Sequence, residues 1–448
     1  MSNQLQVGFA RVDITPPLGI AIGGYFKPRF AEGVLDPLNV SVVALKSGDT
    51  AVVMLSLDQC FVTKEIVLGM REAIVKATSL PAEAVFIHTT HSHTTPKFSA
   101  DPAMALEYAY YQFVCGRMAD ATTLALEDLK PAKMGWGIGH APNVAFVRRF
   151  RMKDGSVQTN PGVNNPDIVA PIGDVDERVN VIRFDRKDAE TLVLVNFGNH
   201  PDTVGGNKIS ADWPGFLCRT VEQALDNTRC MFFNGAEGDI NHVNVHPTKG
   251  DFNDLVMDFD DVARGYGHAR YIGRVVAGAV LQIYDKVNYV DVDSIRYAVH
   301  VAKIPSNMPT VEQLPEAHRI NDLHLAGRDD ELPYKGMMLT TVVAEAKRMV
   351  LLENGPESFD MPLSGIAIGP VAFVGIPGEP FTSVGRSLKE TTAWDLICPT
   401  ALTNGWIGYF PAIDAYDEGG YEALSSRFAA GVAERIVEEG RLLLKKLE

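Results

Sequence analysis

Three stretches of the chain share one layout: an apolar run of strand length, a helical segment, and a second apolar run. The first runs are TAVVMLSLD, TLVLVNFGNH and VAFVGIPGE, which begin at residues 50, 191 and 371. The second runs are AVFIHTTHSH, RCMFFNGAEGDIN and LICPTALTNGWIGYF. Short continuous apolar runs that alternate with helices are typical of buried parallel strands. The sequence therefore predicts an α/β fold built from strand–helix–strand units.

Local signals mark the helix of each unit. Thr63 is placed to cap the first helix, and Asp212 followed by Pro214 opens the second, where an early proline costs no internal hydrogen bond. Val384 and Leu388 lie at helical spacing in the third. Residues 303–360 are expected to form a helical insertion, and an amphipathic helix is expected from Ala423 onward.

A polar residue follows or closes each of the six apolar runs. Ligands of α/β sheets gather outside the carboxyl ends of the strands, so six such residues predict one site assembled from the whole chain. A single domain spanning residues 1–448 follows from this prediction. The six residues are Asp58, His91, His200, Asn241, Glu379 and Tyr409.

Histidines are concentrated after the second run of the first unit, in HTTHSHTTP. His91 and His93 are two residues apart, so they point to the same side of an extended chain, whereas His88 faces away. Imidazoles gathered with a carboxylate are the ligands of a catalytic zinc, which keeps one position open for water. The alternative is a polar loop that happens to contain several histidines.

The other candidate ligands are ambiguous one by one. His200 in GNHP could be a satisfied turn residue, and Glu379 in PGE could be an acid in the first turn of a helix. Tyr409 could be a packed aromatic residue. Together with His91 they fit one metal site, and this joint interpretation is the one we favour.

Three further segments leave alternatives open. The acidic residues 251–262 could bind a hard cation such as calcium, or form a solvated loop. The glycine-rich residues 234–244 could supply an oxyanion hole or a tight turn. Arg148 and Arg149 could anchor a substrate or lie on a solvated hairpin.

Charge and composition exclude several classes of function. The net charge of −15 argues against nucleic acid and against stable association with an anionic membrane. The hydrophobic content of 46% is that of a globular enzyme, with no spanning segment and no signal peptide expected. Five cysteines without paired spacing predict free thiols and a cytoplasmic location.

These motifs resemble, in order, the catalytic domain of the neutral/alkaline, non-lysosomal ceramidases, which are zinc amidases. The resemblance covers most of the chain and implies an αββα layered sandwich with the site at the carboxyl ends of the strands. It rests on GFARVDITPP, GGY (23–25), THSH (90–93), NHP (199–201), GDIN (238–241), PGE (377–379) and GYFPAIDAYDEGGYE (408–422).

The resemblance also implies roles for individual residues. His91 would bind one zinc ion per chain together with His200, Glu379 and Tyr409. His93 would handle protons. Two further residues would face the substrate: Tyr421 near its carbonyl group, and Arg148.

Two departures from the family pattern bear on the chemistry. Asn241 stands where the family has its active-site serine, and an amide cannot act as an alkoxide nucleophile. We also expect no immunoglobulin-like C-terminal domain. A small, soluble substrate is therefore expected.

The sequence thus predicts a zinc-dependent hydrolase that cleaves an amide, ester or lactone with metal-activated water, in which Asn241 donates a hydrogen bond. The alternative is a non-catalytic, metal-containing binding protein of the same fold. A metallophosphoesterase is a third possibility, but it would favour a two-metal, Asp-rich site.

Overall fold

The protein consists of two packed β-sheets with helices on their outer faces. The computed structural model describes residues 4–252 and 265–448, so most of the acidic segment 251–262 lies outside the described residues. The larger sheet has nine strands: Gln6–Asp13 (β1), Asn39–Ser47 (β2), Thr50–Leu57 (β3), Val85–Thr89 (β4), Lys130–His140 (β5), Arg178–Arg186 (β6), Thr191–Phe197 (β7), Thr228–Asn234 (β8) and Asn288–Val290 (β9). The second sheet has four: Ile295–Pro305 (β10), Ser358–Ile368 (β11), Val371–Gly375 (β12) and Leu396–Thr400 (β13).

Ten α-helices are present in the described part of the chain. They are Lys64–Thr78 (α1), Ala105–Glu127 (α2), Asp212–Ala224 (α3), Tyr266–Tyr284 (α4), Leu314–Leu325 (α5), Gly336–Leu352 (α6), Thr382–Lys389 (α7), Asp414–Glu418 (α8), Tyr421–Ser425 (α9) and Val432–Leu447 (α10). Helices α5 and α6 lie in the connection from β10 to β11. They pack against each other around a small apolar cluster. Among the described residues, we find no helix with the length and hydropathy needed to span a membrane.

Both sheets are mixed, and their parallel pairs coincide with the three predicted units. The larger sheet has the order β8-β7-β6-β5-β1-β2-β3-β4, with β9 paired to β5, and the second has the order β10-β11-β12-β13. The parallel pairs are β3–β4, β7–β8 and β12–β13, and their connections contain α1, α3 and α7 respectively. The predicted strand–helix–strand units are therefore confirmed.

Alternation of side chains along the strands creates three apolar layers. In β2, Val43 and Leu45 join the core between the two sheets, whereas Val42 and Ala44 face α1 and α2. Helices α3 and α4 cover β6–β8, and α7 and α10 cover the outer face of the second sheet. This αββα layering confirms the predicted fold class.

Sequence signals located two helix starts but misplaced the last one. The Thr63 side chain accepts a hydrogen bond from the Ile66 N–H, and α3 begins at Asp212, as predicted. The prediction of one helix from Ala423 onward was wrong. The Ser426 hydroxyl donates to the Tyr409 carbonyl at 3.0 Å beyond the end of α9, and α10 starts only after Gly431, which has a φ of 94°.

Candidate metal centre

The first two imidazoles reach the site through a turn that follows β4. Strand β4 ends at Thr89, and His91 has a φ of 76°, a left-handed conformation that is rare for a residue with a side chain. The His91 N–H donates to the Gln59 carbonyl at 2.8 Å. His91 and His93 face one site as predicted, but the turn rather than an extended strand end brings them there.

Three side chains from different parts of the chain converge in a buried cluster. The Nε2 atoms of His91 and His200 are 3.0 Å apart, and Glu379 Oε2 lies 3.4 Å and 3.8 Å from them. All three residues are at most 2% exposed. A second group, Cys60, His91 and His93, also has its ligand atoms within 4.8 Å of one another.

The orientation of His91 fits a metal ligand. Its Nδ1 lies 2.7 Å from the Cys60 carbonyl, an acceptor, so Nδ1 carries the proton and Nε2 presents its lone pair to the cluster. Two nitrogen ligands of a tetrahedral zinc lie roughly 3.3 Å apart at metal–nitrogen distances of about 2.0–2.1 Å. The separation of the His91 and His200 nitrogens is close to this value.

The carboxylate and the phenol are held side by side by a short parallel strand pair. Glu379–Pro380 pairs with Tyr409–Phe410, with Glu379 opposite Tyr409. The Trp406 indole N–H donates to Glu379 Oε1 at 2.7 Å, whereas Oε2 has no hydrogen-bond partner among the described residues. One carboxylate oxygen is thus fixed and the other is available to a cation.

Burial and the Glu379 carboxylate act in opposite directions on the imidazole pKa values of the cluster. Burial by itself lowers the pKa of the His91 imidazole, but the Glu379 carboxylate and the Cys60 side chain together outweigh burial and raise this pKa well above its usual range. Burial, followed by the charge on His91, lowers the pKa of His200 and of His93. Without a metal, one proton on His91 would balance Glu379, and a bound cation would do the same.

His93 lies beside the cluster and contacts an acid. Its Nε2 is 3.3 Å from His91 Nε2, and its Nδ1 is 3.3 Å from Asp202 Oδ1. Gly24, in the GGY motif, has a φ of +90°, and a Cβ atom there would lie 2.8 Å from the His93 ring. The motif therefore makes room for this imidazole.

Arg148 and Arg149 are buried, so the solvated-hairpin alternative is wrong. They are 5% and 3% exposed. Arg148 pairs with the buried Glu422 at 2.7 Å, donates to the Gly238 carbonyl at 2.6 Å, and lies 5.3 Å from the centre of the Tyr409 ring. The Tyr421 ring meets the Tyr409 ring edge-on at 5.6 Å.

Asn241 is fixed within its own loop. Its amide nitrogen donates to Asn160 Oδ1 at 2.9 Å, and its Oδ1 accepts from the Val243 N–H at 2.9 Å. In the same glycine-rich segment, Gly235 and Gly238 donate their N–H groups to the Phe197 and Pro380 carbonyls. These two N–H groups are therefore not free to form an oxyanion hole.

Two polar residues near these strand ends lie outside the cluster: Asp58, which was predicted to belong to the site, and His88, which was not. Asp58 accepts a hydrogen bond from the Asn39 N–H at 2.8 Å, which ties β3 to β2, so its carboxylate is engaged in the sheet and not with the imidazoles. His88 faces away as predicted: it contacts the Ser56 hydroxyl and accepts from the Asn234 N–H. Burial lowers the pKa of His88 to about 3, so it is neutral.

Sequence reasoning missed several residues around the cluster. Glu237 is fully buried, neither carboxylate oxygen has a hydrogen-bond partner within the described ranges, and burial raises its pKa well above the usual range. Its position in AEGD, directly after β8, was a usable signal. Trp406 and Glu422 had no such signal, because their contacts depend on long-range packing.

The structure defines an αββα protein with a buried imidazole–carboxylate cluster near the ends of its parallel strands. A similar fold occurs in a neutral ceramidase from Pseudomonas aeruginosa, with a TM-score of 0.73, 16% identity, and coverage of 100% of this chain and 75% of that one. A ceramidase complexed with C2 gives a TM-score of 0.71, 16% identity, and coverage of 99% and 76%. No protein-family model and no curated protein matches the sequence. The expected likeness to ceramidases is confirmed for the fold.

We predict that Gly24→Ala displaces His93, because the new methyl group would overlap the imidazole. Gly19→Ala is the matched control: Gly19 has a φ of +85°, and nothing lies within 4 Å of its Cβ position. Both variants should lose about 1–2 kcal/mol of unfolding free energy from left-handed strain. Only Gly24→Ala should lose about 1–3 kcal/mol more by overpacking, measured by urea denaturation. Equal losses would contradict this account of the GGY motif.

Proposed function

We propose that this protein is a zinc-dependent hydrolase that cleaves an amide, ester or lactone of a small, soluble substrate. The observation that carries the proposal is the convergence of His91 Nε2, His200 Nε2 and the unpartnered Glu379 Oε2 in one buried cluster. The fold shared with ceramidases supports the assignment.

His91, His200 and Glu379 would hold one zinc ion, with Tyr409 as a fourth ligand next to Glu379. When bound, zinc supplies a Lewis acid that polarises a carbonyl group and makes water acidic enough to ionise near neutral pH. Burial, and then the nearby Glu379, raise the pKa of the Tyr409 phenol well above its usual range. Its ionisation therefore depends on an added positive charge.

His93 is suited to move the proton. Its Nδ1 lies 3.3 Å from Asp202 Oδ1, and we propose that Nδ1 donates a hydrogen bond to this carboxylate during turnover, which leaves Nε2 as the acceptor. In the proposed reaction Nε2 takes the proton of the attacking water and delivers it to the leaving amine or alcohol. Asp202 would stabilise the imidazolium that forms, as an acid does in a catalytic triad.

Tyr421 and Arg148 complete the proposed site. The Tyr421 phenol, next to Tyr409, would donate a hydrogen bond to the oxyanion that develops on the substrate carbonyl. Arg148 would add positive charge on the same side, although Glu422 and the Gly238 carbonyl occupy part of its donor set. Asn241 would hold its loop in place and could share one remaining amide proton.

Because the resemblance places Asn241 where the ceramidases have their active-site serine, water is the proposed nucleophile. Its oxygen forms the new bond to the carbonyl carbon, and the bond from that carbon to nitrogen or oxygen breaks as the leaving group accepts the proton. No acyl-enzyme is needed. A non-catalytic binding protein remains the second candidate, because both groups of the Asn241 amide make structural hydrogen bonds.

We predict that His200→Ala loses both the metal and the activity. Wild-type protein should contain about one zinc per chain by elemental mass spectrometry, and the variant should contain almost none. Hydrolysis of chromogenic esters and amides should fall by more than about 1,000-fold, or about 4 kcal/mol of transition-state stabilisation. His318→Ala, which removes a surface imidazole paired with Glu353, is the control and should retain both. Full activity in His200→Ala, or turnover insensitive to a chelator, would exclude the proposed mechanism.

We also predict that no covalent acyl-enzyme forms during turnover, because the proposed site has the Asn241 amide where the resemblance implies a serine nucleophile. Rapidly quenched wild-type protein should show its unmodified intact mass with every substrate that it hydrolyses. Asn241→Ala should remain active, with kcat reduced by about tenfold through loss of the loop contacts. A mass increase equal to the acyl group would show instead that another side chain is the nucleophile.

A further inference from the structure

Arg427 lies in the segment that leads away from the proposed metal centre, and its main chain is held on two sides. The preceding residue, Ser426, donates its hydroxyl to the Tyr409 carbonyl at 3.0 Å. The Arg427 carbonyl accepts from the Asn307 N–H at 2.8 Å. The backbone of this arginine is therefore fixed one residue away from a contact to Tyr409.

The guanidinium of Arg427 lies over an indole that contacts the centre. Its central carbon is 5.8 Å from the centre of the Trp406 ring, and the Trp406 N–H reaches Glu379. The indole also stacks on Phe61, with the ring centres 4.5 Å apart. Trp406 thus contacts both this cation and a proposed zinc ligand.

Arg427 has no acidic partner within residues 4–252 and 265–448. It is half-buried, and its side chain forms no ion pair or hydrogen bond there, whereas Arg148 and Arg149 pair with Glu422 and Glu418. Burial lowers the pKa of Arg427, and no carboxylate opposes this effect. Partial burial of a guanidinium whose N–H groups have no acceptor costs desolvation free energy, and a bound anion would offset this cost.

We propose that Arg427 binds a carboxylate of the substrate, so the substrate is a small amide, ester or lactone that carries one carboxylate group. A guanidinium offers two parallel N–H donors that match a carboxylate, and the Trp406 face keeps its plane oriented. One unpaired cation suits a monoanion better than a doubly charged phosphate. This proposal rests on the proposed hydrolase function and adds the substrate class to it.

The first test is calorimetric binding of adipate and of its neutral diamide to the zinc-loaded, full-length protein. Arg427→Gln should weaken adipate binding by at least about tenfold and leave diamide binding unchanged, and Arg427→Lys should give an intermediate loss. Arg229→Gln is the control of equal charge, because Arg229 pairs with Glu190 at the opposite end of β8. Equal adipate affinity in wild type and Arg427→Gln, or no adipate binding to wild type, would overturn the proposal.

A second test separates this proposal from the hydrolase function. The 4-nitrophenyl monoester of glutaric acid should be hydrolysed with a higher kcat/KM than 4-nitrophenyl valerate, and Arg427→Gln should reduce this preference about tenfold without changing the valerate rate. An equal loss on both esters would indicate a structural role and contradict the proposal. If neither ester is hydrolysed, the hydrolase function fails, and the adipate comparison still decides whether Arg427 binds a carboxylate.

Discussion

The Glu379 carboxylate faces two imidazole nitrogens in a buried space, and a positive charge on or between these groups would stabilise it. Leaving such a carboxylate without a partner would cost several kcal/mol. The surrounding contacts support this arrangement: the Cys60 carbonyl orients His91, and the Trp406 indole holds the other Glu379 oxygen. A divalent metal would stabilise the cluster more than one proton would, because it would also bind the lone pairs of both imidazoles.

The residues of the cluster come together because the two sheets pack against each other. Segments that follow strands of the larger sheet carry the histidines, and segments that follow β12 and β13 of the second sheet carry Glu379 and Tyr409, so neither sheet supplies a complete site. Hydrogen bonds from two asparagines connect the halves near the centre. Asn196 in β7 donates to the Pro399 carbonyl in β13 at 2.9 Å, and the Asn404 N–H donates to the Ile87 carbonyl in β4 at 2.7 Å. The geometry of the centre therefore depends on the packing between the sheets.

Local sequence signals predicted the units but not their long-range contacts. Apolar runs and caps such as Thr63 act within a few residues, so the strands and helix starts could be predicted. His91, His200 and Glu379 could be proposed because polar residues that follow buried strands tend to meet at one edge. The burial of Arg148 could not be foreseen, because its partner Glu422 is distant in sequence. The prediction that Asp58 belongs to the site was wrong, because its carboxylate accepts a hydrogen bond from the Asn39 N–H on the neighbouring strand.

The most direct test of the metal centre is X-ray diffraction from crystals of the native protein at energies above and below the zinc absorption edge. The account predicts one anomalous peak per chain, roughly 2.0–2.2 Å from His91 Nε2, His200 Nε2 and Glu379 Oε2. The peak should vanish below the edge. A peak on the alternative group that contains Cys60, or no peak after zinc is supplied, would contradict the account.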